Sequence, residues 1–140
     1  MRPVTREMIK IYNLKKLGYD FMGYTFKNME ELSFHHLIVP RNLSKKQHLE
    51  SNGFIIENGA ILNQETAHDY LHVVERVDRD IFLAITQQMI EENRNGRIDI
   101  ENLKKIRDYL LYFESHYADE CNSKGKVLIK EKYISNRIKI

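Results

Sequence analysis

The sequence predicts an α+β fold: a small β-hairpin and the helix after it, embedded in a mainly helical single domain. Three observations predict it. First, an apolar run, Leu32 to Val39, is closed by Pro40. It is answered beyond a polar stretch by Gly53-Phe-Ile-Ile56 and Ala60-Ile-Leu62, which reads as two short strands. Second, most of the remaining apolar residues recur at helical spacing. Third, 140 residues with 42% hydrophobic and 30% charged content suit one globular unit able to bury a core.

Taken in order, Val4, Met8, Ile11, Leu14 and Leu17 predict a first helix over 4–17, capped by Thr5 and ended by Gly18. A short strand around Ile9–Tyr12 is the competing reading. Tyr19 to Phe26 is aromatic, with glycines around it, and reads as a loop with some extended structure. Its rings can stack on nucleotide bases or wrap a core short of apolar residues. Asn28 to Glu31 is a polar turn before the first strand. Residues 41–53 form a polar loop with Arg41, Lys45, Lys46 and His48. Asn58-Gly59 is a turn or bulge inside the returning strand.

Asn63 caps the next helix, with Glu65 in its first turn. Ala67, Leu71, Val74, Val77 and Ile81 line one face of that helix. It runs on through Ile85 and Met89 or restarts at Asp78, and stops by Asn95-Gly96. Asp99 caps a last long helix that buries Leu103, Ile106, Leu110 and Phe113, with Tyr109, Tyr112 and Tyr117 beside them. The chain thus divides into a hairpin-and-helix core over 32–76, a helical extension over 78–120 and a basic tail over 122–140. The extension supplies core for the hairpin, and can also pair two copies into a homodimer. In the tail, Val127–Ile129 reads as a short docking strand.

The chemistry concentrates in one window. Five of the six histidines fall within residues 34–72, and four of them, His35, His36, His68 and His72, sit in the predicted strand and helix at its two ends. His68 and His72 are four apart, so a helix sets both imidazoles on one face, a turn apart. Neighbouring strand residues point to opposite faces, so one of His35 and His36 can face that helix while the other points elsewhere. Three imidazoles suit zinc, nickel, cobalt or manganese better than magnesium, and leave a position open for water or substrate. Asp69 and Glu75 are either partners for the ligand rings or ordinary surface acids.

His-His, then an Asn opening a short apolar strand, then His-x-x-x-His on the next helix resembles the HNH nucleases. More narrowly, it is similar to the all-histidine, colicin-type form of the ββα-metal finger. The resemblance spans residues 32–76. It implies that His35, His68 and His72 hold one divalent metal ion; zinc, nickel or manganese suits the three imidazoles, and magnesium is an alternative ion for activity. It implies that His36 is the general base and that Asn58 holds the loop that orients it. The activity implied is hydrolysis of phosphodiester bonds in DNA or RNA. The alternative is a metal-braced finger that binds nucleic acid or protein without cutting it. Paired zinc-ribbon cysteines are missing, so no second structural zinc is implied.

Charge adds candidate contacts. Arg41, Lys45 and Lys46 lie just past the first strand and can meet backbone phosphate. The tail carries Lys124, Lys126, Lys130, Lys132, Arg137 and Lys139 against Glu131, a net +5 in a chain of net +2. Such a tail suits phosphate attraction. A single cysteine, Cys121, excludes an internal disulfide and fits a reducing, cytoplasmic setting. No apolar run is long enough to span a membrane, and the first residues lack the apolar stretch of a secretory signal.

Overall fold

The computed structural model describes residues 1–41, 50–122 and 127–140, with side chains at 50 and 51 left out. Lys45, Lys46, His48, Lys124 and Lys126 lie outside the described residues. Among the described residues the fold mixes helix and strand: six α-helices and one two-stranded antiparallel hairpin. Buried residues from all parts of it form one contiguous core.

The first helix is not continuous. α1 is Pro3–Ile11 and α2 is Leu14–Leu17. Between them Asn13 sits in the left-handed region at φ 55°. Asparagine tolerates that conformation better than other side-chained residues. The break lets Met8 and Leu14 both reach the core while the Tyr12 hydroxyl donates to the Asn93 carbonyl at 3.1 Å. Thr5 is not the cap. Pro3 opens the helix, where its missing N–H costs nothing, and Thr5 is buried inside. Gly18 ends α2 at φ 78°, as expected.

The aromatic stretch is wound around Asp20. The Asp20 carboxylate accepts the N–H groups of Met22 and Tyr24 at 2.9 Å each, and that of Asn63 at 2.7 Å. Phe21, Met22 and Tyr24 are buried, so these three wrap the core and are not free to stack on bases.

β1 (Leu32–His36) pairs with β2 (Gly59–Asn63), matching His35 to Ala60 and His36 to Gly59. Both strands are shorter than the apolar runs predict. Past His36 the ladder is replaced by the Asn58 side chain, whose Oδ1 accepts the Ile38 and Val39 N–H groups at 2.9 and 2.8 Å. Residues 53–56 are not strand, and a single 3₁₀ turn, Ile56–Asn58, leads into β2. All five residues of β2 are buried, because α1 lies on one face of the hairpin and the later helices on the other.

Asn63 caps the next helix by accepting the Glu65 N–H at 3.1 Å. The first turn there is a wide π turn, Gln64–His68, which passes into α3 (Asp69–Val77). The helix restarts at Asp78, which caps α4 (Arg79–Asn95) by accepting the Ile81 N–H. Gly96 closes α4 in the left-handed region, and Asp99 caps α5 (Ile100–Cys121). α4 and α5 pack against each other.

The tail differs most from expectation. Val127–Ile129 forms no strand; a short helix α6 (Glu131–Ser135) follows it. The last residues pair instead with the aromatic loop: Tyr24 bridges to Arg137, and the Ile138 N–H donates to the Gly23 carbonyl at 2.8 Å. Arg137 does not reach out for phosphate. Its guanidinium is held by both oxygens of Glu114, at 2.9 and 3.0 Å, with only 10% and 13% of the two side chains exposed. No helix among the described residues is long and apolar enough to cross a membrane.

Candidate metal centre

The alternation of β1 sorts its side chains. Ser33 and His35 turn toward the π turn and α3; Phe34 and His36 turn the other way, against Phe54. His68 ends the π turn and His72 follows one helical turn later. The ring centroids of His35 and His68 are 5.1 Å apart, those of His68 and His72 4.9 Å, and those of His35 and His72 6.2 Å. One ring nitrogen from each lies within 4.8 Å of the other two, close enough to bind one ion. Tetrahedral coordination at metal–nitrogen distances of 2.0–2.1 Å sets donors about 3.4 Å apart, so the rings close by roughly an ångström around an ion.

The chemistry of the three donors fits a cation. His35 is buried, and its Nε2 has no hydrogen-bond partner among the described residues. A buried ring nitrogen without a partner is costly, and a metal is one group that satisfies it. Burial, then the neighbouring His68 and His72, pushes the His35 pKa down to about 3. Burial, then His72, brings His68 down to about 4, against the pull of Asp69. Both rings are therefore neutral at pH 7, the form that ligates metal.

The tautomers follow from the partners. Ser33 Oγ lies 3.0 Å from His68 Nδ1 and 3.4 Å from the Leu62 carbonyl. A carbonyl only accepts, so the hydroxyl proton goes to Leu62 and Oγ accepts the Nδ1–H of His68. That leaves His68 Nε2 bare. His72 Nδ1 lies 3.4 Å from Glu75 Oε1, which likewise can only accept, so its Nε2 is bare as well. His68 and His72 thus offer Nε2, and Nε2 is also the unpartnered buried nitrogen of His35. Glu75 is one of the two acids expected beside the rings; Asp69 hydrogen-bonds to neither imidazole among the described residues.

His36 is held apart. Its Nε2 donates to the Asn52 carbonyl at 3.0 Å, which leaves Nδ1 bare. Its ring packs against Phe54 at 4.6 Å. Burial is the main cause that lowers its pKa; Arg41 and Arg2 add to it, and the Asn52 bond opposes it. Asn58 is the clip behind this arrangement. Besides accepting from Ile38 and Val39, its Nδ2 donates to the carbonyls of Val39 and Gly53, at 2.8 and 3.1 Å. It thereby ties the end of β1 to the backbone next to Asn52.

All four rings line one cleft of about 520 Å³, with Arg41 and Arg79 also in its wall. Arg41 is exposed and lies 5.2 Å from the Phe54 ring. Arg79 reaches within 3.8 Å of Glu75. Sequence reasoning missed Ser33, Asn52 and Arg79. Ser33 was within reach of it, since a residue two before His35 must share its face. Asn52 acts through its carbonyl, and Arg79 through the fold of α3 onto α4, for which no local signal exists. Comparison of the chain with protein-family models, with curated proteins and with solved structures finds no match.

Proposed function

We propose that this chain is a metal-dependent endonuclease of the HNH kind that hydrolyses phosphodiester bonds in DNA, with RNA as the secondary substrate. One observation carries the reading. Three imidazoles converge with bare nitrogens, while a fourth faces the same cleft with one nitrogen tied to a carbonyl and the other free. A site that only braces a fold has no use for the fourth ring.

His36 Nδ1 takes a proton from water, which is freed to attack phosphorus. A neutral imidazole at pH 7 suits that step. The Asn52 carbonyl and the Asn58 clip keep the ring turned to the cleft and in the right tautomer. Arg41 and Arg79 place positive charge on the cleft wall, where the substrate phosphate is held. His35, His68 and His72 would hold a divalent ion, which when bound would supply Lewis-acid stabilisation to the reacting phosphate.

The test is plasmid nicking with Mg²⁺, Mn²⁺ or Ni²⁺. Wild type is expected to nick. His36→Ala is expected to lose at least about 100-fold in rate while binding metal and DNA as before. Nicking by His36→Ala at the wild-type rate removes His36 from the mechanism. If wild type nicks with none of the ions, yet chelation still lowers its melting temperature, the finger is structural.

A further inference from the structure

The tail was the sequence's obvious phosphate-binding segment, and the structure takes its arginine away. Arg137 is locked to Glu114. Positive charge is available instead at the other end of the chain. Residues 1–17 hold Arg2, Arg6, Lys10, Lys15 and Lys16 against Glu7, a net +4 in a chain of net +2.

Their placement is ordered. Arg6 and Lys10 are four apart on α1, so they share one face at a step of about 6 Å, and Arg2 precedes the helix as its extended cap residue. All three are exposed. The Arg2 guanidinium sits 3.7 Å from the Phe54 ring, and Phe54 lines the catalytic cleft beside His36. From there α1 runs along the hairpin toward the start of β1. At that end Arg6, Lys10 and Lys15 line a groove of about 950 Å³, with Ile9 and Leu32 in its floor and a single acid, Glu30, in its wall. The ion pairs among the described residues engage Arg79, Arg97, Lys104, Arg107 and Arg137, none of them on α1.

We infer that Arg2 at the cap of α1 and the Arg6–Lys10 face of the helix, continued by Lys15, form a track for a nucleic-acid backbone that leads out of the cleft. The inference rests on reading the cleft as a site that cuts nucleic acid. Cations that start beside Phe54 and continue along α1 meet successive phosphates of a strand whose scissile bond lies among the histidines. The contacts are to phosphate, so the track adds affinity without sequence preference.

The experiment measures binding of a 20-base-pair duplex in EDTA between 50 and 200 mM salt, by fluorescence anisotropy. Three proteins are compared: wild type, Arg6→Gln/Lys10→Gln, and Arg94→Gln/Lys105→Gln. The last removes the same charge from exposed positions that line neither groove. Zinc affinity and apo melting temperature serve as fold controls. Losing two phosphate contacts is expected to flatten the slope of log K against log salt by about 1.8, and to weaken binding roughly 60-fold at 0.1 M salt. The control pair is expected to keep the wild-type slope. Wild-type binding by Arg6→Gln/Lys10→Gln, in a protein whose parent nicks plasmid, overturns the track and leaves the cleft reading standing. Equal loss in the control pair reduces the effect to net charge and also overturns it. The same slope change with polyglutamate in place of DNA makes α1 a surface for acidic proteins and overturns the assignment. A parent that neither binds nor nicks ends both readings.

Discussion

Ser33→Ala tests the metal centre at its least conspicuous point. Ser33 touches no metal. It accepts the Nδ1–H of His68 at 3.0 Å and is itself anchored on the Leu62 carbonyl across the hairpin. Removing the hydroxyl frees the ring to rotate and to place its proton on Nε2, the atom that must stay bare. Loss of a group that orients a ligand costs roughly 10- to 100-fold in metal affinity. The serine is half-buried and its anchoring bond is long at 3.4 Å, so the lower end is expected: about tenfold, or 1.4 kcal/mol. Glu75→Gln at His72 should cost less, because that contact is also 3.4 Å and the His72 side chain is 53% exposed. The assay is competition for Zn²⁺ against a chromophoric chelator. Ser33→Thr, which keeps the hydroxyl and suits a strand, should restore most of the affinity. Long-range ¹⁵N–¹H NMR of the apo protein adds an independent readout: His68 should carry its proton on Nδ1 in wild type and lose that preference in Ser33→Ala. Unchanged zinc affinity together with an unchanged His68 tautomer would refute the reasoning.

Further expectations concern the parts that hold the site. Asn58→Ala leaves two N–H groups and two carbonyls without their partner; a loss of about 2–4 kcal/mol in unfolding free energy is expected by urea titration, with nicking falling further than stability. Gly59→Ala would put a Cβ 2.3 Å from the Phe34 ring, so a drop of about 1–3 kcal/mol is expected, read by the same titration. Arg137→Ala strands the Glu114 carboxylate and its Tyr70 partner in a nearly buried setting, and about 3–5 kcal/mol should be lost. Glu92 is fully buried, with no well-formed hydrogen bond to either oxygen among the described residues, and burial, then Asp20 and Asp99, raises its pKa well above the usual carboxylate range against a weak pull from the Asp99 backbone N–H. A raised folded pKa means stability that is complete below the unfolded value and lost as pH climbs toward the folded one. The melting temperature of Glu92→Gln minus that of wild type should therefore grow from pH 5 to pH 8, to about 2–5 °C; a flat difference would contradict it.

The histidine pattern made the centre legible because two periodicities meet in it. Period four on a helix places His68 and His72 together, and period two on a strand sends only one of His35 and His36 to meet them. Those rules need no tertiary knowledge. The helix ends were legible for a similar reason: Asn63, Asp78 and Asp99 each accept an N–H of their own first turn, a local act. What failed was non-local. Apolar runs promised longer strands, but the Asn58 side chain outcompetes the ladder for the Ile38 and Val39 N–H groups. The tail promised free charge, but Glu114, 23 residues away in sequence, claims Arg137. Both competitors are single polar side chains, and no periodicity announces where such a side chain will turn.

The same contrast explains why the centre has the form it does. A strand side chain is aimed by the sheet, and a helix side chain by its helix, but neither fixes which nitrogen of an imidazole is bare. That choice falls to atoms outside the motif: a serine hydroxyl for His68, a carboxylate for His72, a backbone carbonyl for His36. The first two free Nε2 for a common ion. The third commits Nε2 and frees Nδ1 for a proton. On the proposed reading, side chains of one kind are thereby sorted into ligands and base by which face they take and by what their ring nitrogens meet. A carbonyl, having no proton to give, is the partner that holds His36 to that role at any pH where the ring is neutral.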